Sequence, residues 1–383
     1  MTPTALRPGI RTGPPGFSLS ELLVASAIAL VVMGAVATLL GVFTSALSKS
    51  QGTLDLTARM RTTAWQLRQD LAGVTLDIVP GVNPEADEGY FSLIEGPKRD
   101  SNAAANTSTL EADTDDVLQL TTRAIPGPFA ARYNADTIEA PCAEVGWWLL
   151  PAANQTVPGV TLYELCRRQL MVASYVGKAP FDPGNSLSGA AVASAQQFYD
   201  ISLRTEGGRL VPNTLGDLGK RENRFVYSAG SLRGTVRDGE DVMLTNVISF
   251  DVRVFDPQAR AQVVSTIVRY PGDPTYVAGT GPAGAYVDLG AGQAAGLLSL
   301  APDAKSGLTG IVAYDTWSLA YEFNGAGTNG QDDNGDGLPD DSAELVKPPP
   351  YAVPLRGIEV RIRCYEPSSG QVRQMTVRHT FQR

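Results

Sequence analysis

Histidine and cysteine are nearly missing from this chain of 383 residues, which has one histidine, His379, and three cysteines, Cys142, Cys166 and Cys364. A lone imidazole close to the carboxy terminus leaves little for a mechanism that pairs histidine with a distant acid or gathers histidines on a metal. Three cysteines without C-x-x-C spacing exclude a disulfide scaffold and a zinc ribbon. No G-x-S-x-G, H-E-x-x-H or P-loop sequence occurs. Gly325, Gly327 and Gly330, and likewise Gly279, Gly281 and Gly284, satisfy G-x-G-x-x-G, but neither set opens a helix after a strand, so both read as loop glycines. Basic residues are also in deficit, 31 against 40 acids for a net charge of −9. A surface that coats nucleic acid needs a basic face to displace counterions, so no nucleic-acid partner is expected. With no catalytic constellation in view, the sequence reads as a structural or binding protein rather than an enzyme.

Charge is absent altogether from residues 22–47. That run exceeds the roughly 20 residues a helix needs to cross a bilayer. Residues 1–16 carry Arg7 and Arg11 and no acid, so the positive-inside bias places this end in the cytoplasm and everything after Lys49 outside. A single-pass inner-membrane protein with an extracytoplasmic head is expected. Glu21 stands immediately before the run, where a carboxylate is costly unless it is paired, and it is therefore a candidate functional residue.

Gly16 followed by Phe17-Ser18-Leu19-Ser20-Glu21-Leu22-Leu23-Val24-Ala25 resembles the processing signal of type IV pilins and type II secretion pseudopilins. The resemblance implies a prepilin peptidase that cuts between Gly16 and Phe17 and methylates the new amino-terminal Phe17. It also implies that Glu21, the fifth residue of the cut chain, neutralises the amine of a neighbouring Phe17 during assembly. Its expected partners are other pilin or pseudopilin subunits, the peptidase and the inner membrane. A secretory signal peptide has an apolar stretch of only about 7–15 residues before an A-x-A-like site. A plain membrane anchor gives no reason for a glutamate at the mouth of the span.

No proline interrupts residues 17–79, and Leu56, Met60, Ala64, Leu67 and Leu71 recur at helical spacing, with Asp55, Arg59, Arg61, Arg68 and Asp70 on other faces. One helix of about 80 Å is expected, apolar all round in its first half and amphipathic in its second. Gly34 and Gly41 share a face of it.

Beyond Gly73, short alternating segments between Gly, Pro, Asn and Asp clusters predict an antiparallel β domain. Strands are expected at 117–123, 145–150, 161–170, 247–255, 263–270, 316–323, 358–365 and 375–381, with turns at 366–370 and at Asp256-Pro257. Insertions are expected at 96–112, 177–197, 272–310 and 324–350. The fold class is thus α+β, divided into a leader (1–16), a helix (17–73, crossing the membrane at about 22–47) and a β-rich pilin-like head (74–383). The order of elements is similar to that of the larger minor pilins and J-type minor pseudopilins, whose heads are smaller.

Two further features carry chemistry. The segment NGQDDNGDGLPDD places Asp332, Asn334 and Asp336 at alternate positions, with a turn at Gly337, the Leu338 carbonyl and then Asp340. This is the spacing of an oxygen-ligand calcium loop, although Ala343 stands where an EF-hand has its bidentate glutamate. Ca²⁺ is the cofactor it would take, and a solvated acidic loop is the alternative. Cys142 and Cys166 flank a hairpin, and a register pairing Leu149 with Gly159 would set them opposite each other for a disulfide; three unbridged buried cysteines are the alternative. The functional expectation is a minor pilin or minor pseudopilin. The competing one is a membrane-anchored calcium-dependent binding or adhesion protein.

Overall fold

The computed structural model describes residues 16–79, 84–96, 113–133, 136–153, 157, 160–173, 200–207, 209–220, 223–224, 241–271, 276–277, 279–291, 312–316, 337 and 354–381. They fall into two compact units, one ending at Leu54 and one beginning at Asp55. The architecture is α+β: one long helix and an antiparallel β domain in the form of a half-barrel.

Helix α1 runs over Leu19–Ala72, 54 residues without a proline or a break. Every residue from 16 to 51 is exposed, including Leu30, Val31 and Leu39 at about 70%. This part is long and apolar enough to cross a membrane. From Leu56 onward the helix belongs to the second unit, and the stripe of Leu56, Met60, Ala64, Leu67 and Leu71 is buried as its spacing predicts. The second unit therefore takes in the last turns of the helix. Asp55 and Arg59 form an exposed pair one turn apart at 2.9 Å. Asp70, expected off the apolar stripe, is also buried, at 2% exposure. It lies three residues beyond Leu67, on the rim of the apolar stripe, where the sheet reaches it.

The main sheet is built from β1 (Phe91–Glu95), β2 (Val117–Arg123), β5 (Cys142–Pro151), β6 (Tyr163–Val172), β9 (Asp241–Arg260), β12 (Ala283–Asp288), β13 (Val312–Asp315), β14 (Gly357–Glu366) and β15 (Gln371–Thr380). Its order is β13-β1-β2-β5-β6-β9-β14-β15, with β12 also paired to β9, and every pairing is antiparallel. Among the described residues there are also three two-stranded ribbons: β3 (Phe129–Tyr133) with β4 (Asp136–Ala140), β7 (Leu203–Glu206) with β8 (Arg209–Pro212), and β10 (Gln262–Val264) with β11 (Ile267–Arg269). A short helix, α2 (Leu215–Gly219), starts with a capping box made by Thr214 and Asp217. The core joins the helix stripe to Phe91, Leu93, Leu118, Leu120, Trp147, Phe250, Val252, Val254, Val360 and Ile362. On β14, Ile358, Val360, Ile362 and Cys364 face inward as their alternation predicts, and the turn to β15 closes through Gly370 N–H to the Glu366 carbonyl at 2.8 Å.

Several expectations are corrected. Strand β9 does not turn at Asp256-Pro257 but continues to Arg260 as a 20-residue strand. The register against β12 shifts between Ala283 and Ala285, opposite the segment holding Pro257. A bulge there lets the ladder step around a residue with no N–H to give. The expected strand at 263–270 is the tight β10–β11 ribbon, reversing at Ser265 with φ of +56°. Part of the expected insertion at 272–310 is strand β12, an integral member of the sheet. Most of the other expected insertions, and all of the strand expected at 316–323 except Thr316, lie outside the described residues.

The β5–β6 hairpin is present, but its register places Leu149 opposite Leu165, Cys142 opposite Val172 and Cys166 opposite Trp148. That offset of six positions puts the two thiols roughly 20 Å apart along the ladder, far beyond disulfide reach. All three cysteines are free and buried. The expected bridge assumed a tighter loop than the one between Pro151 and Tyr163. Burial raises the Cys142 thiol pKa and pushes that of Cys364 up to about 12, so both are held as neutral thiols.

Candidate functional site

The sequence points first to the start of α1. Phe17 is 85% exposed, and Ser18 and Glu21 close a capping box. The Ser18 N–H and hydroxyl both donate to Glu21 Oε2 at 2.9 Å, and Glu21 N–H donates to Ser18 Oγ at 3.2 Å. S-x-x-E at a helix start satisfies main-chain donors that would otherwise be orphaned. Glu21 thus has a local structural role besides the one the resemblance implies, and the S-x-x-E spacing was the signal for it. The leader up to residue 15 lies outside the described residues, as do Asp332, Asn334, Asp336, Leu338 and Asp340. Gly337 alone of the expected calcium loop is described, with φ of +91°.

Among the described residues of the head, three buried polar nodes stand out that the sequence did not announce. The first joins α1 to the sheet. Asp70 accepts from Arg167 Nε and Nη2 at 2.8 Å each, from Trp147 Nε1 at 2.9 Å and from Gln66 Nε2 at 3.1 Å. Arg167 also lies 5.8 Å from the Trp147 ring centroid. A bidentate guanidinium, an indole N–H and an amide saturate this carboxylate. The second node has two parts. Tyr90 donates to Glu144 at 2.7 Å, Ser202 donates to Glu144 at 2.7 Å, and Asn213 donates to Ser202 at 3.0 Å. Arg224 lies 4.0 Å from the Tyr90 ring centroid and is bound to Asp315 at 2.8 Å. Burial, followed by the Glu144 charge, lifts the Tyr90 hydroxyl well above its usual pKa and keeps it a donor.

The third node is acidic. Strand β9 is flanked on one edge by β14, while on the other β6 ends at Val247 and β12 begins at Arg253. The segment 113–116 that leads into β2 fills the gap. Phe250 N–H donates to the Asp113 carbonyl at 3.0 Å, and Val252 N–H donates to Asp116 Oδ2 at 2.7 Å. From the end of β1, Glu95 Oε2 accepts the Leu289 N–H at 3.1 Å, just beyond β12. A carboxylate oxygen from each of Glu95, Asp113 and Asp116 lies within 4.8 Å of the other two. The three residues are 0%, 1% and 1% exposed. Asp115, Asp251 and Asp288 are buried beside them. The cation at this seam, Arg253, is engaged with Asp251 at 2.9 Å and Asp288 at 3.3 Å.

Asp113 Oδ2 and Asp116 Oδ1 accept no hydrogen bond among the described residues. Burial, followed by the charge of Asp116, pushes the Asp113 carboxyl well above the usual carboxylate range. Burial and then Asp251 do the same to Asp116, against the Val252 N–H, which lowers it. Packing here is close: a side chain at Gly96 would run into the Asp115 carboxylate. The visible signal was Asp113-Thr114-Asp115-Asp116 directly before a strand as apolar as VLQLTT, since acids at the mouth of a buried strand must be satisfied somehow. Glu95, Asp251 and Asp288 reach the seam only through strand pairing, which no local pattern reveals.

No family model, no curated protein and no solved structure matches the chain.

Proposed function

We propose that the chain is a minor pilin or minor pseudopilin, a filament subunit processed after Gly16 and N-methylated at Phe17. The observation that carries this reading is Gly16-Phe17, two residues before an unbroken helix that starts at Leu19, with Glu21 in its first turn at the mouth of an uncharged run, and every residue from 16 to 51 exposed. Apolar surface on that scale is unfavourable in water at about 25 cal/mol per Å² and calls for lipid or neighbouring helices to cover it. Before assembly the bilayer covers it, and in the filament the equivalent helices of other subunits do. Its mechanism is assembly rather than turnover: Phe17 and Glu21 supply recognition between subunits, the helix supplies the filament interior, and the β head, extracytoplasmic, selects partners.

Mass spectrometry of the chain from membranes tests the processing step. The amino terminus should be methylated Phe17; a chain that still begins at Met1, or begins well after Phe17, refutes it. Cysteine crosslinking from the exposed face of α1 tests assembly, since filament subunits trap other pilin-like chains and an independently anchored adhesin does not.

A further inference from the structure

We propose that Glu95, Asp113 and Asp116 bind one divalent cation of the calcium kind at the seam between β6 and β12. Each of the three carboxylates is oriented through one oxygen by a main-chain N–H, from Leu289, Asp115 and Val252 respectively. One oxygen from each residue lies within 4.8 Å of the other two. Main-chain donors that fix one oxygen and leave the other for a metal are the usual means of aiming carboxylate ligands. Ca²⁺ takes oxygen ligands at roughly 2.3–2.6 Å, so oxygens on opposite sides of one ion stand about 4.6–5.2 Å apart. Three carboxylate oxygens within 4.8 Å of one another fit inside that sphere. Magnesium prefers a tighter octahedron and keeps several waters, which suits a site of buried protein oxygens less well.

The independent observation is the pair of orphaned atoms. Asp113 Oδ2 and Asp116 Oδ1 belong to two members of the cluster, each residue 1% exposed, and accept no hydrogen bond among the described residues. Buried acceptors in folded proteins are almost always satisfied, and a buried carboxylate oxygen left without a donor signals a proton or a metal. The guanidinium of Arg253 does not serve them, since it is held between Asp251 and Asp288. A bound cation would tie together the end of β1, the entry to β2, the middle of β9 and the end of β12. The site shares no residue with the 332–340 segment and does not rest on the filament reading.

The test uses the full chain in detergent, stripped with a chelator, dialysed, and then titrated with CaCl₂ or MgCl₂. Thermal unfolding and calorimetric stoichiometry are the readouts. With calcium at about a hundred times its dissociation constant, Tm of the unaltered chain should rise by roughly 5 °C. Asp113→Asn/Asp116→Asn should lose that rise and one calcium per chain, yet unfold in chelator at or above the unaltered chain because the repulsion is gone. Asp332→Ala/Asp336→Ala should keep the rise. Should the double asparagine variant fail to fold, Glu95→Gln, which keeps an acceptor for Leu289 N–H, should weaken calcium binding at least tenfold. The proposal is overturned if calcium does not shift Tm, or if the shift and stoichiometry survive in the asparagine variant. It is also overturned if the shift disappears in the loop variant alone, if Glu95→Gln binds as tightly as the parent, or if magnesium gives an equal shift.

Discussion

Asp70 and Asp116 are carboxylates buried to the same degree, 2% and 1% exposed, in the same domain, and their surroundings are opposite. Asp70 receives four hydrogen bonds, two of them from a guanidinium that brings a compensating charge. Asp116 receives one, from the Val252 N–H, and stands among other acids. The first arrangement is complete and fixes the rotation of the last turns of α1 against β5 and β6, as buried ion pairs often fix register more than they add stability. The second is complete only if something positive enters. Burial alone therefore does not tell a carboxylate completed by its protein donors from one that still needs a proton or a cation; the number and charge of its donors does.

That contrast can be broken by mutation. Asp70→Ala leaves the Arg167 guanidinium buried without its partner and should cost about 3–5 kcal/mol in chemical denaturation of the full chain. A loss below about 1 kcal/mol would mean that Asp70 is no node. Asp113→Asn/Asp116→Asn, measured in chelator, should have the opposite sign, from unchanged to about 2 kcal/mol more stable, because it removes charges that repel one another. If both variants lose stability alike, the two regions do not differ in the way their geometry implies.

Glu21 is a third carboxylate, exposed and uncrowded, and it separates charge from capping. Gln at the third helical position still serves a capping box, so Glu21→Gln keeps the helix start and removes the charge. Incorporation into filaments should fall in Glu21→Gln as far as in Glu21→Ala, while processing after Gly16 continues in both; normal incorporation of the glutamine variant would leave Glu21 only its cap. The smallest expected effect lies at His379, half-buried against the Phe381 ring at 5.1 Å. Burial lowers its pKa from the ordinary 6.5. The folded state therefore prefers the neutral ring, and the contribution is present above about pH 6.5 and lost as the pH falls through the depressed folded value. His379→Gln should flatten Tm between pH 7.5 and 5.5 by a degree or so, and an unchanged slope would place the acid sensitivity elsewhere.

What the sequence revealed and what it concealed follow from the range of the interactions. The buried stripe from Leu56 to Leu71 and the alternation along β14 are set by residues a few positions apart, so period and turn chemistry predict them. The burial of Asp70 could not be read that way, because its donors Trp147 and Arg167 come from the sheet. The disulfide failed for a related reason: the register of β5 on β6, with Trp147 opposite Arg167, depends on the core face the two strands share and on the turn between them, neither of which the spacing of Cys142 and Cys166 reveals. Asp113, Asp115 and Asp116 are near neighbours in the sequence, but their convergence with Glu95 and β9 depends on a gap in strand pairing. The strand expected to end at Asp256-Pro257 runs on through a bulge of its own, residues 257–259 standing opposite Gly284 alone, so the ladder passes the proline without needing its N–H.

The pairing of β1 has a kinetic consequence. Its inner neighbour β2 is close in sequence, but its outer neighbour is β13, with Ser92 opposite Asp315, and the Phe91 N–H is capped by a hydroxyl 225 residues further on, that of Thr316. Closing so long a loop carries an entropic cost that must be met before the contact returns anything, and chains dominated by such contacts fold slowly. Pulse-labelled amide exchange during refolding should show β5 and β6, joined by a short connection, protected early. The edge of β1 should be among the last to be sealed, although it is the first strand of the head to be synthesised.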